Sequence, residues 1–346
     1  MSGPSYRRQW SIWLTFLAAI AFVAVMPVVP QAPAEPADPL GAQVQAGVVQ
    51  ISTSLDYQNA VGTGTGIVLS PGGEVLTNNH VISGATSITA TSVGTGRSYP
   101  VTVLGYDRKH DIALVQLQGA TDLPTASIGD SNQLAVGQPI VALGNAGGTG
   151  SALSHEAGKV AALGQTVVAS DDLTGSAERL NGLIEVAADL RPGDSGGPLV
   201  NSAGQVVGLN TAAALNYKMG TPAGHGYAIP INQALGIAAE IRSGAQTGSV
   251  HIGDTPMLGV GVTDERRPSG SGVAVQQVLR GGPAQQGGVA PGDVITAVDG
   301  SAINSATALT DILDQHHPGD TVTLGWIDAS GTARNAPIVL ASGPPG

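Results

Sequence analysis

The chain has 346 residues, 42% of them apolar, which is enough to build two or three compact domains and rules out a disordered chain. Its formal charge of −11 argues against a nucleic-acid partner. Cysteine is absent, so disulfides and thiolate metal sites are excluded and stability has to come from packing.

Residues 1–34 carry Arg7 and Arg8, an uncharged run from Ser11 to Met26 and the small-residue pattern Ala32-Pro33-Ala34, which together read as a signal peptide. Its removal would take the formal charge from −11 to −13 and leave Trp326 as the sole tryptophan. An uncleaved leader would be the one route to a membrane, although its apolar run is a little short for a span. Residues 35–43, rich in Pro and Ala, read as a flexible lead-in.

From residue 44 to 242 the pattern is one of short β-prone runs separated by Gly, Pro, Asn and Asp: Val48–Ser52, Gly66–Leu69, Glu74–Leu76, Ser87–Ala90, Val101–Tyr106 and Ile112–Leu117. A second set follows at Pro139–Leu143, Gly158–Gly164, Gly182–Val186, Leu199–Asn201, Val206–Asn210 and Gly226–Ile229. That grammar predicts an all-β barrel or sandwich. A helix is expected over Ile231–Ser243, capped by Asn232, with Leu235, Ala238 and Ile241 on one face. The glycine-rich runs Gly62–Gly66 and Gly144–Gly150 lack the Gly-Lys-Ser/Thr ending of a phosphate loop and are expected as barrel turns.

The chemistry concentrates in Gly193-Asp194-Ser195-Gly196-Gly197-Pro198, a serine on a glycine-rich turn. A serine hydroxyl needs a base to take its proton and donors for the oxyanion that follows attack. The bend would aim the N–H groups of Gly193 and Ser195 at one point. Upstream, Thr77-Asn78-Asn79-His80-Val81 offers an imidazole and His110-Asp111-Ile112-Ala113-Leu114 a carboxylate. His110 is a poor partner for its own neighbour, since adjacent strand residues face opposite sides. His155, His251, His316 and His317 show no metal-ligand spacing, and no cofactor is expected.

The order His, Asp, Ser and these flanks resemble the trypsin-like serine proteases, and among them the HtrA/Deg group, in which a PDZ domain follows the protease. The resemblance implies a chymotrypsin-like double β-barrel of two six-stranded barrels, with His80 as general base, Asp111 as its orienting carboxylate and Ser195 as nucleophile. It also implies substrate contacts at Leu190, Asn210, Thr211 and Ala228. His225 lies beside the expected substrate strand, where it reads as a turn-region surface histidine with substrate contact as the alternative. Leu190 and its aliphatic surroundings suggest an apolar pocket. Asp189 raises the alternative of a basic preference, which would require a cationic partner for a buried carboxylate. At Asp194, where many relatives have Asn, no zymogen activation sequence is present upstream. The serine turn is therefore expected to be ordered by loop contacts or by ligand.

Residues 243–255 read as a linker. From 256 to 342, Pro256–Val262, Gly272–Leu279, Gly288–Ile295 and a helix-like run Ser305–His316 resemble a small α/β PDZ domain of the same group. Leu258, Gly259 and Val260 would then receive a peptide C-terminus added as an extra strand. Arg266 and Arg267 follow in a loop and could assist. The expected function is an exported endopeptidase, secreted, periplasmic or in the cell envelope, acting on unfolded or damaged proteins. The alternative is a latent protease serving as a peptide-binding or chaperone-like protein. The resemblance allows a homotrimer or a monomer.

Overall fold

The structure is a computed structural model describing residues 44–148, 152–171, 176–211, 217–219, 224–244, 248–263 and 272–346. The expected signal peptide, the 35–43 lead-in and the Arg266-Arg267 pair lie outside the described residues. Among those described, no helix is long and apolar enough to cross a membrane.

In Val48–Leu55 (β1) the side chains of Val49, Ile51, Thr53 and Leu55 are buried in alternation, the mark of a strand with one face on a core. Around it stand Ala60–Val68 (β2), Glu74–Thr77 (β3), Ser87–Ser92 (β4), Ser98–Asp107 (β5) and Ile112–Leu117 (β6), and pairing of β5 with β6 closes the sheet into a barrel. The Gly62–Gly66 run, expected as a turn, is instead part of β2. A Cβ on Gly64 would meet Val81 and one on Gly66 would meet Val75, so these glycines make room for core side chains.

The second barrel is built from Pro139–Gly144 (β7), Ser154–Asp171 (β8), Ser176–Val186 (β9), Pro198–Asn201 (β10), Val206–Thr211 (β11), Tyr217–Met219 (β12) and Gly226–Pro230 (β13). Pairing of β8 with β9 closes it, and β12 extends it at β8. Register shifts along β8 let it run for 18 residues, well beyond the expected Gly158–Gly164. Each barrel has its own interior, and a third apolar cluster joins them: Ile67, Leu76, Ile112 and Leu114 from the first meet Leu180, Leu183, Val206 and Leu209 from the second.

The helix Ile231–Ser243 seals that junction with Ile231, Ala234, Ile237, Ala238 and Ile241, while Leu235 is only partly buried. Its N-cap is Pro230 and not Asn232. The Asn232 side chain turns outward to Asp130, 2.7 Å away, and the Asn232 N–H donates to Ser131 Oγ at 3.2 Å, so a distant turn satisfies this end of the helix.

Val250–Ile252 (β14) lies within the stretch expected as a linker. It pairs with β5 because Val250 fits into the inter-barrel core. Beyond it, Thr255–Met257 (β15) pairs with the last strand of the chain, and Val260–Thr263 (β16), Val273–Val278 (β17), Val294–Val298 (β18), Ser301–Ala302 (β19), Thr321–Ile327 (β20) and Ala333–Val339 (β21) form a separate sheet. The closing strand is Ala341–Gly343 (β22). This sheet, with the helix Ala306–Leu313 capped by Ser305, encloses a core of its own around Ile295, Leu309, Leu324 and Trp326. The architecture is therefore all-β in its two barrels with a small α/β module after them.

Trp326 lies directly opposite Ile295 on the neighbouring strand, and both are buried. In a chain beginning at Glu35, Ile295→Ala should lower stability by about 2–5 kcal/mol. The measurement is the urea midpoint followed by Trp326 emission.

Candidate active site

After β3 ends at Thr77 the chain makes a single helical turn, Asn79–Ile82, which buries Asn79, Val81 and Ile82 and leaves His80 at the cleft. Val81 anchors the turn against Gly64. Asp111 stands at a φ of 55°, a left-handed conformation that short polar side chains tolerate best. The backbone there is held at both groups: Asp111 N–H donates to Arg108 O at 3.1 Å, and Asn78 Nδ2 donates to Asp111 O at 2.9 Å.

The Asp111 carboxylate is 2% exposed and well bonded. Its Oδ1 accepts the His80 backbone N–H at 3.0 Å, its Oδ2 accepts the Thr211 hydroxyl at 3.0 Å, and His80 Nδ1 lies 2.9 Å from Oδ2. A carboxylate beside Nδ1 selects the tautomer with the proton on Nδ1, so Nε2 is the nitrogen able to accept a proton. His110 pairs with Asp107 at 2.7 Å and takes no part in this arrangement. That hydrogen bond raises its pKa above the usual histidine value.

Ser195 reaches the same cleft through its backbone. Thr65 N–H donates to Ser195 O at 2.8 Å, and Gly196 N–H donates to Asn210 O at 2.9 Å, one residue from the threonine that bonds Asp111. Gly196 has a φ of 81°, and a Cβ there would strike Thr65 O and Thr77 Oγ1. The turn accordingly packs against the residues just before His80. Thr65 is the hub: its Oγ1 donates to Gly193 O at 2.7 Å and accepts the Asn145 N–H at 3.0 Å, while Thr77 Oγ1 donates to its carbonyl at 2.7 Å.

Pro192 O accepts the Gly147 N–H at 3.2 Å, so the Pro192–Gly193 peptide turns its carbonyl toward the 145–148 loop. In a planar trans peptide the Gly193 N–H then points the opposite way, away from that loop. Asp194 is 1% exposed; its Oδ2 accepts the Arg191 N–H at 2.9 Å, and Ser154 Oγ lies 2.5 Å from its Oδ1. Burial pushes its pKa up, and these donors pull it back. Loop contacts thus hold the serine turn.

Of the expected substrate residues, Leu190 is half-buried and lies over Gly226, where a Cβ would come within 2.5 Å of it, and Ala228 is fully buried in the same apolar cluster. The other two turn inward. Asn210 donates from Nδ2 to Leu143 O at 3.1 Å and Pro198 O at 3.2 Å, bracing the serine turn, and Thr211 serves Asp111, so neither side chain faces the cleft. Asp189 has a 60% exposed side chain and lies 3.2 Å from Arg191, which excludes it as a buried charge at the base of a pocket. His225 pairs with Glu185 at 2.7 Å. Sequence reading missed Thr65 and Asn145; only the glycine-rich surroundings of each hinted at close packing.

In the C-terminal module Leu258 O accepts the Ala284 N–H at 2.9 Å and Gly259 O accepts the Leu279 N–H at 2.8 Å. The N–H groups of Gly259 and Val260 are therefore directed away from these partners, beside β16, which is the edge strand of its sheet. Among the described residues no cluster of His, Asp and Glu is placed to hold a metal.

Residues 64–209 match the trypsin-like peptidase domain and residues 256–327 the PDZ domain. The chain is 36% identical over 314 residues to serine protease PepD of Mycobacterium tuberculosis, covering 87% of this chain and 65% of that protein. It is 32% identical over 276 residues to the periplasmic serine endoprotease DegP of Escherichia coli K12, covering 78% and 55%. The protein is thus of the class that joins a trypsin-like peptidase domain to a PDZ domain. More narrowly, the relatives it resembles are HtrA/DegP-type serine proteases. It spans 55–65% of the length of those two relatives. Among solved structures, the HtrA-type protease AlgW with tripeptide aligns at 26% identity with a TM-score of 0.49, over 89% of this chain and 97% of that one.

Because Thr65 is fully buried and its hydroxyl serves both Gly193 and Asn145, Thr65→Val should destabilise the fold by about 1–3 kcal/mol. Chemical denaturation of the two proteins measures it.

Proposed function

We propose that the chain is an exported serine endopeptidase that cleaves peptide bonds of unfolded or damaged proteins in the cell envelope or periplasm. The observation that carries this reading is the His80–Asp111 pair, closed by Thr211 and tied through Gly196 to the Ser195 turn. In the reaction, His80 Nε2 takes the Ser195 hydroxyl proton as Oγ attacks the scissile carbonyl, and later returns it to the leaving amine. Asp111 stabilises the imidazolium formed between these steps. The N–H groups of Gly193 and Ser195 receive the oxyanion, with a donor of this kind typically worth ~10²–10³ in turnover. The anchored Pro192 carbonyl weighs against the latent alternative, since it is held by Gly147 and not turned into the oxyanion position.

Leu190 over Gly226, with Asp189 paired outside, favours a small aliphatic residue before the scissile bond. The edge strand β16 and the Leu258–Val260 loop suit the C-terminal carboxylate of a peptide, which would be tethered there as an added strand. The leader and the envelope setting of the DegP relative support export.

Steady-state hydrolysis of peptides ending in Val or Arg before a chromogenic group tests the reading. Val should be preferred, and His80→Ala should lower kcat by roughly 10⁴-fold or more. Thr211→Val, which removes one hydrogen bond to a buried carboxylate, should lower kcat on the order of tenfold with little change in KM. Hydrolysis of neither peptide, or a preference for Arg, would contradict the reaction or the pocket respectively.

A further inference from the structure

The turn Asp107–Asp111, which presents the carboxylate to His80, is also where the C-terminal module meets the first barrel. Strand β14, leading toward that module, pairs with the end of β5, placing Val250 opposite Asp107. Ser249 Oγ donates to Asp107 Oδ2 at 2.8 Å, while Asp107 Oδ1 accepts the His110 N–H at 3.1 Å inside the turn. Arg108, only 8% exposed, reaches Asp314 just beyond the helix Ala306–Leu313, with Nη2 3.0 Å from Oδ1 and Nη1 3.0 Å from Oδ2.

Asp314 is gripped from further directions. Tyr106 O–H donates to its Oδ1 at 3.0 Å, and His251 Nδ1 lies 2.9 Å from its backbone oxygen while the ring stacks on Tyr106 at 5.0 Å. Lys109 Nζ lies 3.5 Å from Asp311 at a half-exposed edge. Burial alone would lower the Arg108 pKa, and the surrounding groups, Asp314 foremost with Tyr106, Glu178 and Asp311, together more than restore it. Arg108 is thus bonded by its side chain to the C-terminal module and by its carbonyl to the Asp111 N–H. A non-glycine residue in the left-handed region keeps that conformation only where its surroundings over-determine it.

We propose that Arg108 is a positioning residue for Asp111, and that Asp314 of the C-terminal module completes the support of the Asp111–His80 pair. On this account, which rests on the peptidase reading above, the module is part of the active-site framework as well as a tether. A planar guanidinium that donates from Nη2 to one carboxylate oxygen while Nη1 lies 3.0 Å from the other as an ion pair presents a flat, directional face that a lysine ammonium cannot reproduce.

The test compares Arg108→Met, Arg108→Lys and Asp314→Asn in the full chain, with folding checked by denaturation. One readout is kcat and KM on a short peptide whose C-terminus is blocked, so that the PDZ groove is not engaged. The other is the downfield NMR signal of the His80 Nδ1 proton, identified by its loss in His80→Gln. Arg108→Met and Asp314→Asn should each lower kcat about tenfold or more at nearly constant KM and weaken the signal. Arg108→Lys should fall between Arg108→Met and the native chain. In an Asp111→Asn background the Arg108→Met effect on kcat should vanish.

Unchanged kcat and signal in Asp314→Asn, a nearly isosteric change that keeps the fold, would overturn the proposal. So would an Arg108→Met loss that persists in full with Asp111→Asn. A native chain that shows the signal yet hydrolyses nothing would sink the peptidase reading alone, and the effect of Asp314→Asn on the signal would still decide the positioning claim.

Discussion

A carboxylate removed from water has to be bonded on all sides, and Asp111 is the point where that requirement shapes this molecule. Its own barrel supplies His80, and the second barrel supplies the Thr211 hydroxyl. The two barrels cannot slide past each other without breaking this set. The apolar cluster around Ile67, Leu114, Leu183 and Leu209 provides the adhesion between them, and the carboxylate provides the register.

A second knot, around Thr65, does for the Ser195 turn what Asp111 does for His80. One side chain from the first barrel holds Gly193 and the 145–148 loop, while its backbone holds Ser195 and Thr77. Strand β2 can come this close because its glycines carry no side chains. The same closeness explains how a turn with φ of 102° at Gly193 and 81° at Gly196 is held in place, with the Asp194 carboxylate taken up by the Arg191 N–H and the Ser154 hydroxyl.

The residues proposed to do chemistry could be picked from the sequence because the proposed reaction dictates their types: an imidazole, a carboxylate and a serine between glycines. The strand grammar likewise disclosed the barrels, although β8 and β9 extend beyond their apolar cores. What stayed hidden depends on long-range contact. Thr65 and Asn145 are 80 residues apart, and nothing local marks either as a partner of Gly193. Glycine content suggested a turn at Gly62–Gly66, whereas the need is space for Val75 and Val81 within a strand. Position before the serine made Asp189 a candidate pocket charge, yet Arg191 two residues on offers it a solvent-exposed partner. Polar composition marked 243–255 as a linker, while Val250 and His251 inside it are buried against the first barrel.

The central claim, that His80, Asp111 and Ser195 form one working site, is tested most directly by treating the chain with a fluorophosphonate and locating the adduct by peptide mass mapping. An adduct at Ser195 that disappears in His80→Ala is the expected result, because the hydroxyl reacts only when a base takes its proton. Absence of an adduct at Ser195, with and without an apolar C-terminal peptide, would contradict it.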